Sequence, residues 1–93
     1  MQTAIVHVDT DPARIPEVAS EIAGLDGVSE VYSVTGKMDL VVVVRVREHQ
    51  EFASVIADRL SKVPGVLRTE TFIAFRTYSD VDLAQAFDLG LAD

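Results

Sequence analysis

Cysteine and tryptophan are both absent from the 93 residues, and aromatic side chains contribute only 6%. Without cysteine there are no disulfide staples and no thiolate metal sites, so the fold must rest on aliphatic packing. Cations are scarce too: 8 Lys+Arg face 15 Asp+Glu, a formal net charge of −7. Affinity for DNA depends on neutralising phosphates, so direct nucleic-acid binding is not expected. Long apolar runs are missing. The longest, Leu40 to Val44, falls far short of the ~20 residues of a membrane span, and no basic start with an apolar stretch precedes Thr3, so the chain reads as cytoplasmic. Nor is there a catalytic or metal-binding set. The two histidines, His7 and His49, stand apart, and no nucleophile-elbow or paired-ligand spacing occurs, so neither an enzyme nor a bound cofactor is indicated.

What is present is an apolar fraction of 48% arranged in clear periods. A chain this short forms one core, because it buries only about 60–65% of its unfolded surface. Thr3 to Val8 reads as a strand, closed by Asp11 as a helix N-cap with Pro12 at the first helical position. Ile15, Val18, Ala19, Ile22 and Leu25 form one helical stripe ending near Gly27. Val28 to Val34 and Asp39 to Val46 read as strands joined through "TGKM", with Gly36 free to take positive φ. A second stripe, Phe52, Val55, Ile56, Leu60 and Val63, stops at Pro64-Gly65, and Val66 to Phe75 is the fourth strand.

The halves repeat: Ile22 falls on Leu60 and Gly27-Val28 on Gly65-Val66, an offset of 38 residues. The order βαββαβ with right-handed crossovers predicts an α+β, ferredoxin-like fold, a four-stranded antiparallel sheet with two helices on one face. Residues 1–78 would form this domain, and the tail 79–93 a short C-terminal helix opened by Ser79 and Asp82, packed on its own sheet or on a neighbour.

One sheet face would then be bare, yet the central strands do not alternate apolar with polar: "AIV" and "LVVVV" are continuous. Leaving such side chains in water forgoes about 1.5–3 kcal/mol each. A twofold pairing of sheets would bury them. Ile5 and His7 of the first strand and Val42 and Val43 of the third are the residues expected at that dimer interface, with a charge at whichever valine faces outward breaking it.

The loop "TGKMD", Thr35 to Asp39, has chemistry of its own. A glycine turn exposes successive backbone N–H groups that suit a carboxylate, and Asp39 offers an acceptor for an ammonium. An α-amino acid carries both groups. The simpler reading, a solvated hairpin whose aspartate bonds its own turn, stays open at this level.

"VYSVTGKMDLVVVVRV" followed by "VPGVLRTETFIAF" resembles the effector-binding domain of the Lrp/AsnC feast/famine regulators, whose pattern is an apolar strand, T/S-G-x-x-D, an apolar strand, a helix and P-G-V-x-x-T-x-T. The resemblance implies a domain that dimerises through its sheets, associates further, and binds small effectors, commonly amino acids, between dimers. It implies that Thr35, Gly36, Lys37 and Met38 supply contacts from the loop and that Asp39 holds the amino group. Thr69, Thr71 and Ile73 would line the same site. Met38 stands where the family usually has an aromatic residue, and Lys37 replaces what is often an acid. With no helix-turn-helix ahead of its first strand, the chain resembles the stand-alone version, which would act by sensing or buffering a metabolite or by co-assembly with a DNA-binding relative.

Three other readings compete. An ACT domain shares the topology, but wants glycine where Ala13 follows Pro12. A dimeric α/β-barrel enzyme of the monooxygenase sort would have only His7, Tyr32 and Tyr78 to line its cavity. A structural oligomerisation module would leave the loop without a ligand.

Overall fold

The computed structural model describes residues 1–80. Four strands form one sheet: β1 (Gln2–Thr10), β2 (Val28–Ser33), β3 (Leu40–Val46) and β4 (Val66–Ile73). Their order is β2-β3-β1-β4 and every neighbouring pair is antiparallel. Helix α1 (Ile15–Ala23) joins β1 to β2, and a second helical segment, α2 (residues 51–62), joins β3 to β4. This is the ferredoxin-like arrangement, with β1 and β3 at the centre. The expected capping pair at Ser79 and Asp82 and the helix behind it lie, from residue 81 onward, outside the described residues.

Local chemistry accounts for the ends of the elements. The Asp11 carboxylate accepts from the Ala13 amide at 3.0 Å, starting a single 3₁₀ turn, Pro12–Arg14, that leads into α1. The helix stops at Gly24, earlier than the expected end near Gly27. Gly27 instead shapes the turn into β2, at a φ of 91°. The second stripe is buried as its spacing predicts, Phe52, Val55, Ile56, Leu60 and Val63 all lying in the core. Its backbone is not a regular α-helix. Ala53–Ala57 winds as a π-type turn, closed by the Asp58 amide on the Ala53 carbonyl at 3.1 Å, and Leu60–Lys62 as a 3₁₀ turn.

Side-chain parity divides the sheet cleanly. Ala4, Val6, Val8 and Thr10 of β1 and Leu40, Val42, Val44 and Val46 of β3 point into the core beneath the helices. Their alternates, Thr3, Ile5, His7 and Asp9 on β1 and Val41, Val43 and Arg45 on β3, form the outer face. The register places Ile5 opposite Val43 and His7 opposite Val41. The continuous valine run is thus two interleaved sets, one facing the helices and one facing outward.

The repeat has a packing consequence. Gly27 and Gly65 occupy matching turns, and a Cβ added at either would lie 2.7 Å from a valine methyl, Val55 Cγ2 for Gly27 and Val18 Cγ2 for Gly65. Each glycine therefore lets the helix of the other half lie directly on its turn. Gly36 has an equally positive φ, 113°, but nothing lies within 4 Å of an added Cβ. Gly65→Ala should then cost about 2–5 kcal/mol, from the steric overlap and the backbone strain together, while Gly36→Ala should cost about 1–2 kcal/mol from strain alone. Urea denaturation of the two variants measures the difference, and equal losses would rule out the Val18 contact as a source of stability.

Candidate functional site

The hairpin between β2 and β3 is held at both ends. The Val34 amide donates to the Asp39 carbonyl at 3.1 Å, and the Asp39 amide donates to the Val8 carbonyl at 3.1 Å. Asp39 is also tied through its side chain: Oδ2 accepts from the backbone amide of Thr10 at 2.9 Å. β3 begins only at Leu40, opposite Val8, so β1 runs on past the end of its neighbour. The carboxylate stands in for the carbonyl that a longer β3 would present to Thr10. The site is sensitive because Thr10 is only 2% exposed and water cannot replace that partner. The carboxylate, unlike the Asp39 carbonyl, does not bond its own hairpin; it fastens the turn to β1.

On the outer face next to this hairpin lies a concave site of about 560 Å³. The loop contributes Thr35, Lys37 and Met38, the central strands His7 and Val41, and β4 contributes Arg68, Glu70 and Phe72. Its floor is apolar. His7 and Phe72 pack with ring centroids 5.0 Å apart at 58°. Arg68 Nε is shared with Asp9 Oδ2 at 3.4 Å. Lys37 and Glu70 have no ion-pair partner among the described residues. A cationic donor and a carboxylate acceptor thus stand free above apolar side chains.

Across the same face, on β2 and β3, Tyr32 donates its hydroxyl to Glu30, and Arg45 Nη1 donates to Glu30 Oε1 at 3.3 Å and to Ser29 Oγ at 2.6 Å. The Tyr32 hydroxyl first, and the Arg45 guanidinium second, hold the Glu30 carboxyl below the usual carboxylate range. The same bond to Glu30 pushes the Tyr32 hydroxyl up. On the same face Ile5 is 37% exposed, and Phe72, which lines the hairpin pocket, 46%.

The residues singled out in the sequence are not all brought together. Thr35, Lys37 and Met38 share the outer-face pocket, Gly36 forms the open tip of the turn, and Asp39 anchors it. Thr69 and Thr71 pair with Val8 and Val6, whose side chains point to the helices, so they lie on the opposite side of β4 from Glu70 and Phe72. Ile73 pairs with Ala4 at the far end of the strand and lines a different groove, beside Thr3 and Phe75. Among the expected interface residues, Ile5, His7 and Val43 are on the outer face, but Val42 is fully buried in the core against the helices, which corrects its place in that set. Arg68, Glu70 and Phe72 went unnoticed in the sequence. Their period of two in "RTETF" was the available signal, and it has the opposite parity to the threonines.

A chain with this topology, a fastened T-G-x-x-D hairpin and a paired P-G-V turn invites comparison with known proteins. The sequence profile described as Lrp/AsnC ligand binding domain matches residues 3–83. The chain belongs to the Lrp/AsnC ligand-binding domain family. Among solved structures, TTHA0845 from Thermus thermophilus is 42% identical, with a TM-score of 0.81 over 85% of this chain and 99% of that one. The feast or famine regulatory protein Rv3291c from M. tuberculosis, solved in complex with L-methionine, is 26% identical with a TM-score of 0.71, over 86% of this chain and 54% of that one. PH1916 of Pyrococcus horikoshii, an HTH-type transcriptional regulator, is 38% identical over 84% of this chain and 54% of its own length. The chain spans about half the length of such curated relatives. Among the described residues no helix is long and apolar enough to cross a membrane, and no cluster of His, Asp and Glu is arranged to hold a metal ion.

If Asp39 fastens the hairpin, Asp39→Ala should lower stability by about 1–3 kcal/mol, the penalty for an orphaned buried amide, whereas Asp39→Asn, which keeps an acceptor oxygen, should lose less than half as much. Chemical denaturation with amide exchange at Thr10 reads both. Unchanged Thr10 protection in the alanine variant would remove the carboxylate from this role.

Proposed function

We propose that this Lrp/AsnC domain is a non-enzymatic sensor that binds an amino acid with an apolar side chain at the hairpin end of its outer sheet face, and that it assembles through that face. The observation that carries the reading is the pocket beside the hairpin, which combines the free Lys37 ammonium, the free Glu70 carboxylate and an apolar floor of Val34, Met38, Val41 and Phe72. Lys37, with Arg68 in support, suits the carboxylate of a zwitterion, Glu70 its ammonium, and the floor its side chain. In this reading Asp39 positions the loop through Thr10 and does not take the ammonium. Gly36 contributes backbone donors, and Thr69, Thr71 and Ile73 contact a neighbouring dimer. The L-methionine complex of the M. tuberculosis regulator is consistent with such a ligand.

Assembly follows from the half-exposed row Ile5, Val43 and Phe72 on the outer face. A second copy laid sheet to sheet would bury this row and roof the pocket, so that ligand and assembly stabilise each other. The relatives are named transcriptional regulators, and regulation in the cytoplasm, in partnership with a DNA-binding relative, is the role the reading assigns. Neither catalysis nor a metal is part of it.

A thermal-shift screen against the protein amino acids tests the ligand. A binder at about a hundred times its Kd adds about 2.7 kcal/mol, which raises Tm on the order of 10 °C in a domain of this size. The shift should come from apolar amino acids and vanish in Glu70→Gln; a stable oligomer that responds to none of them would favour a purely structural module. For assembly, Val43→Asp should yield folded monomers by sedimentation, while Val42→Asp should unfold the domain, because an unpaired carboxylate in the core costs several kcal/mol. A dimeric Val43→Asp variant would exclude pairing through the outer face.

A further inference from the structure

A second cavity, of about 460 Å³, opens at the end of the sheet away from the hairpin, where the turn into β2, the end of β3 and the second helical segment meet. Its lining reverses the sign of the rest of the chain. Of 8 cationic side chains in a protein of net charge −7, Arg45, Arg47 and Arg59 all border this cavity. Arg45 is engaged by Glu30 and Ser29. The guanidinium groups of Arg47 and Arg59 make neither a hydrogen bond nor an ion pair with any described residue.

The two acids in the lining do not answer them. Glu51 is committed to the backbone: its Oε2 accepts from the amides of Arg47 and Glu48, both at 2.9 Å. Asp26, on the turn, is exposed and has no partner among the described residues.

The backbone around the cavity is unusual in a way that serves it. On a regular α-helix residues five apart point about 140° away from each other, so Ser54 and Arg59 would face different directions. Here Ser54 lies in the π-type turn at Ala53–Ala57, Arg59 follows it with non-helical backbone angles, and both residues border the same cavity. Single π-type turns within helices are found disproportionately at functional sites. The opposite wall is the turn at Gly27, whose missing Cβ lets it meet Val55 directly.

We propose that this cavity is a second ligand site, for the phosphate group of a small phosphorylated metabolite. Guanidinium forks match phosphate oxygens in pairs, and a tetrahedral oxyanion can engage two such forks at once, with the Ser54 hydroxyl as a further donor. The volume falls in the range of about 300–1,000 Å³ usual for metabolite sites. The site lies at the other end of β3 from the hairpin pocket and does not depend on the amino-acid reading. Asp26 and Glu51 limit affinity by like-charge repulsion, so the site favours anions that approach from the Arg47 and Arg59 side.

The test is a titration of the isotopically labelled protein with inorganic pyrophosphate, followed by amide chemical shifts at ionic strength held constant with sodium chloride. Saturable shifts are expected at Gly27, Arg47, Ser54 and Arg59. Arg47→Ala and Arg59→Ala should each weaken binding about tenfold, Asp26→Asn should strengthen it, and Lys62→Ala, outside the cavity, should leave it unchanged. Both arginines are exposed, so their variants retain the fold, which far-UV circular dichroism verifies. Absence of saturable shifts at these amides, or affinity that survives both arginine substitutions, would overturn the proposal.

Discussion

The position of β1 between β3 and β4 is the constraint on which the other features rest. Its register with β3, Ile5 on Val43 and Val6 on Val42, decides which side of each valine meets the helices and which meets the exterior. A slip of one residue would exchange the two sets completely. With β3 held in place, it would turn His7 and Asp9 under the helices and leave Ala4, Val6 and Val8 in water. The core, the outer face and the hairpin pocket are three results of one pairing.

That pairing also sets the problem that Asp39 solves. Because β1 outlasts β3, its last residues need partners that the sheet does not provide, and a register irregularity between Asp9 and Thr10 marks the place where regular pairing with β4 breaks as well. One carboxylate reaching back to Thr10 satisfies the buried amide and aligns the loop whose preceding residues border the pocket. In the proposed reading, structural and binding roles meet in the same five-residue motif. A functional loop tied to a buried backbone group holds its shape more firmly than one resting on side chains alone.

Much of this was legible in the sequence, because it follows from periodicity. The two helical stripes, the four strands, the matched Gly27 and Gly65 turns and the excess of valine on the central strands are all patterns of spacing. The places where the reading fell short share a physical cause. A continuous valine run has no alternation from which to read parity, so Val42 and Val43 could not be told apart until the register with β1 was known. Parity likewise separated Thr69 and Thr71 from Glu70 and Phe72, which adjoin them in sequence and face the other way. The winding of the second helix was hidden as well, since its apolar residues are buried whether the backbone closes every fourth or every fifth residue. Asp39 was legible as important, but its partner, 29 positions earlier in the chain, was not.

The interleaved strand order also bears on how the chain acquires its structure. β1 is made before the other three strands of the sheet, and both its neighbours, residues 40–46 and 66–73, follow later. Until they appear it has no edge to pair with, and α1 has only β2 beside it. Neither repeat can close its own sheet, since each half lends a strand to the middle of the other. Productive folding therefore waits for distant segments to meet, a topology associated with slower collapse than local helix pairing. During that interval "AIV" and "LVVVV" are uncovered β-prone segments, and the surplus of carboxylates elsewhere in the chain gives nascent copies a mutual repulsion while they wait.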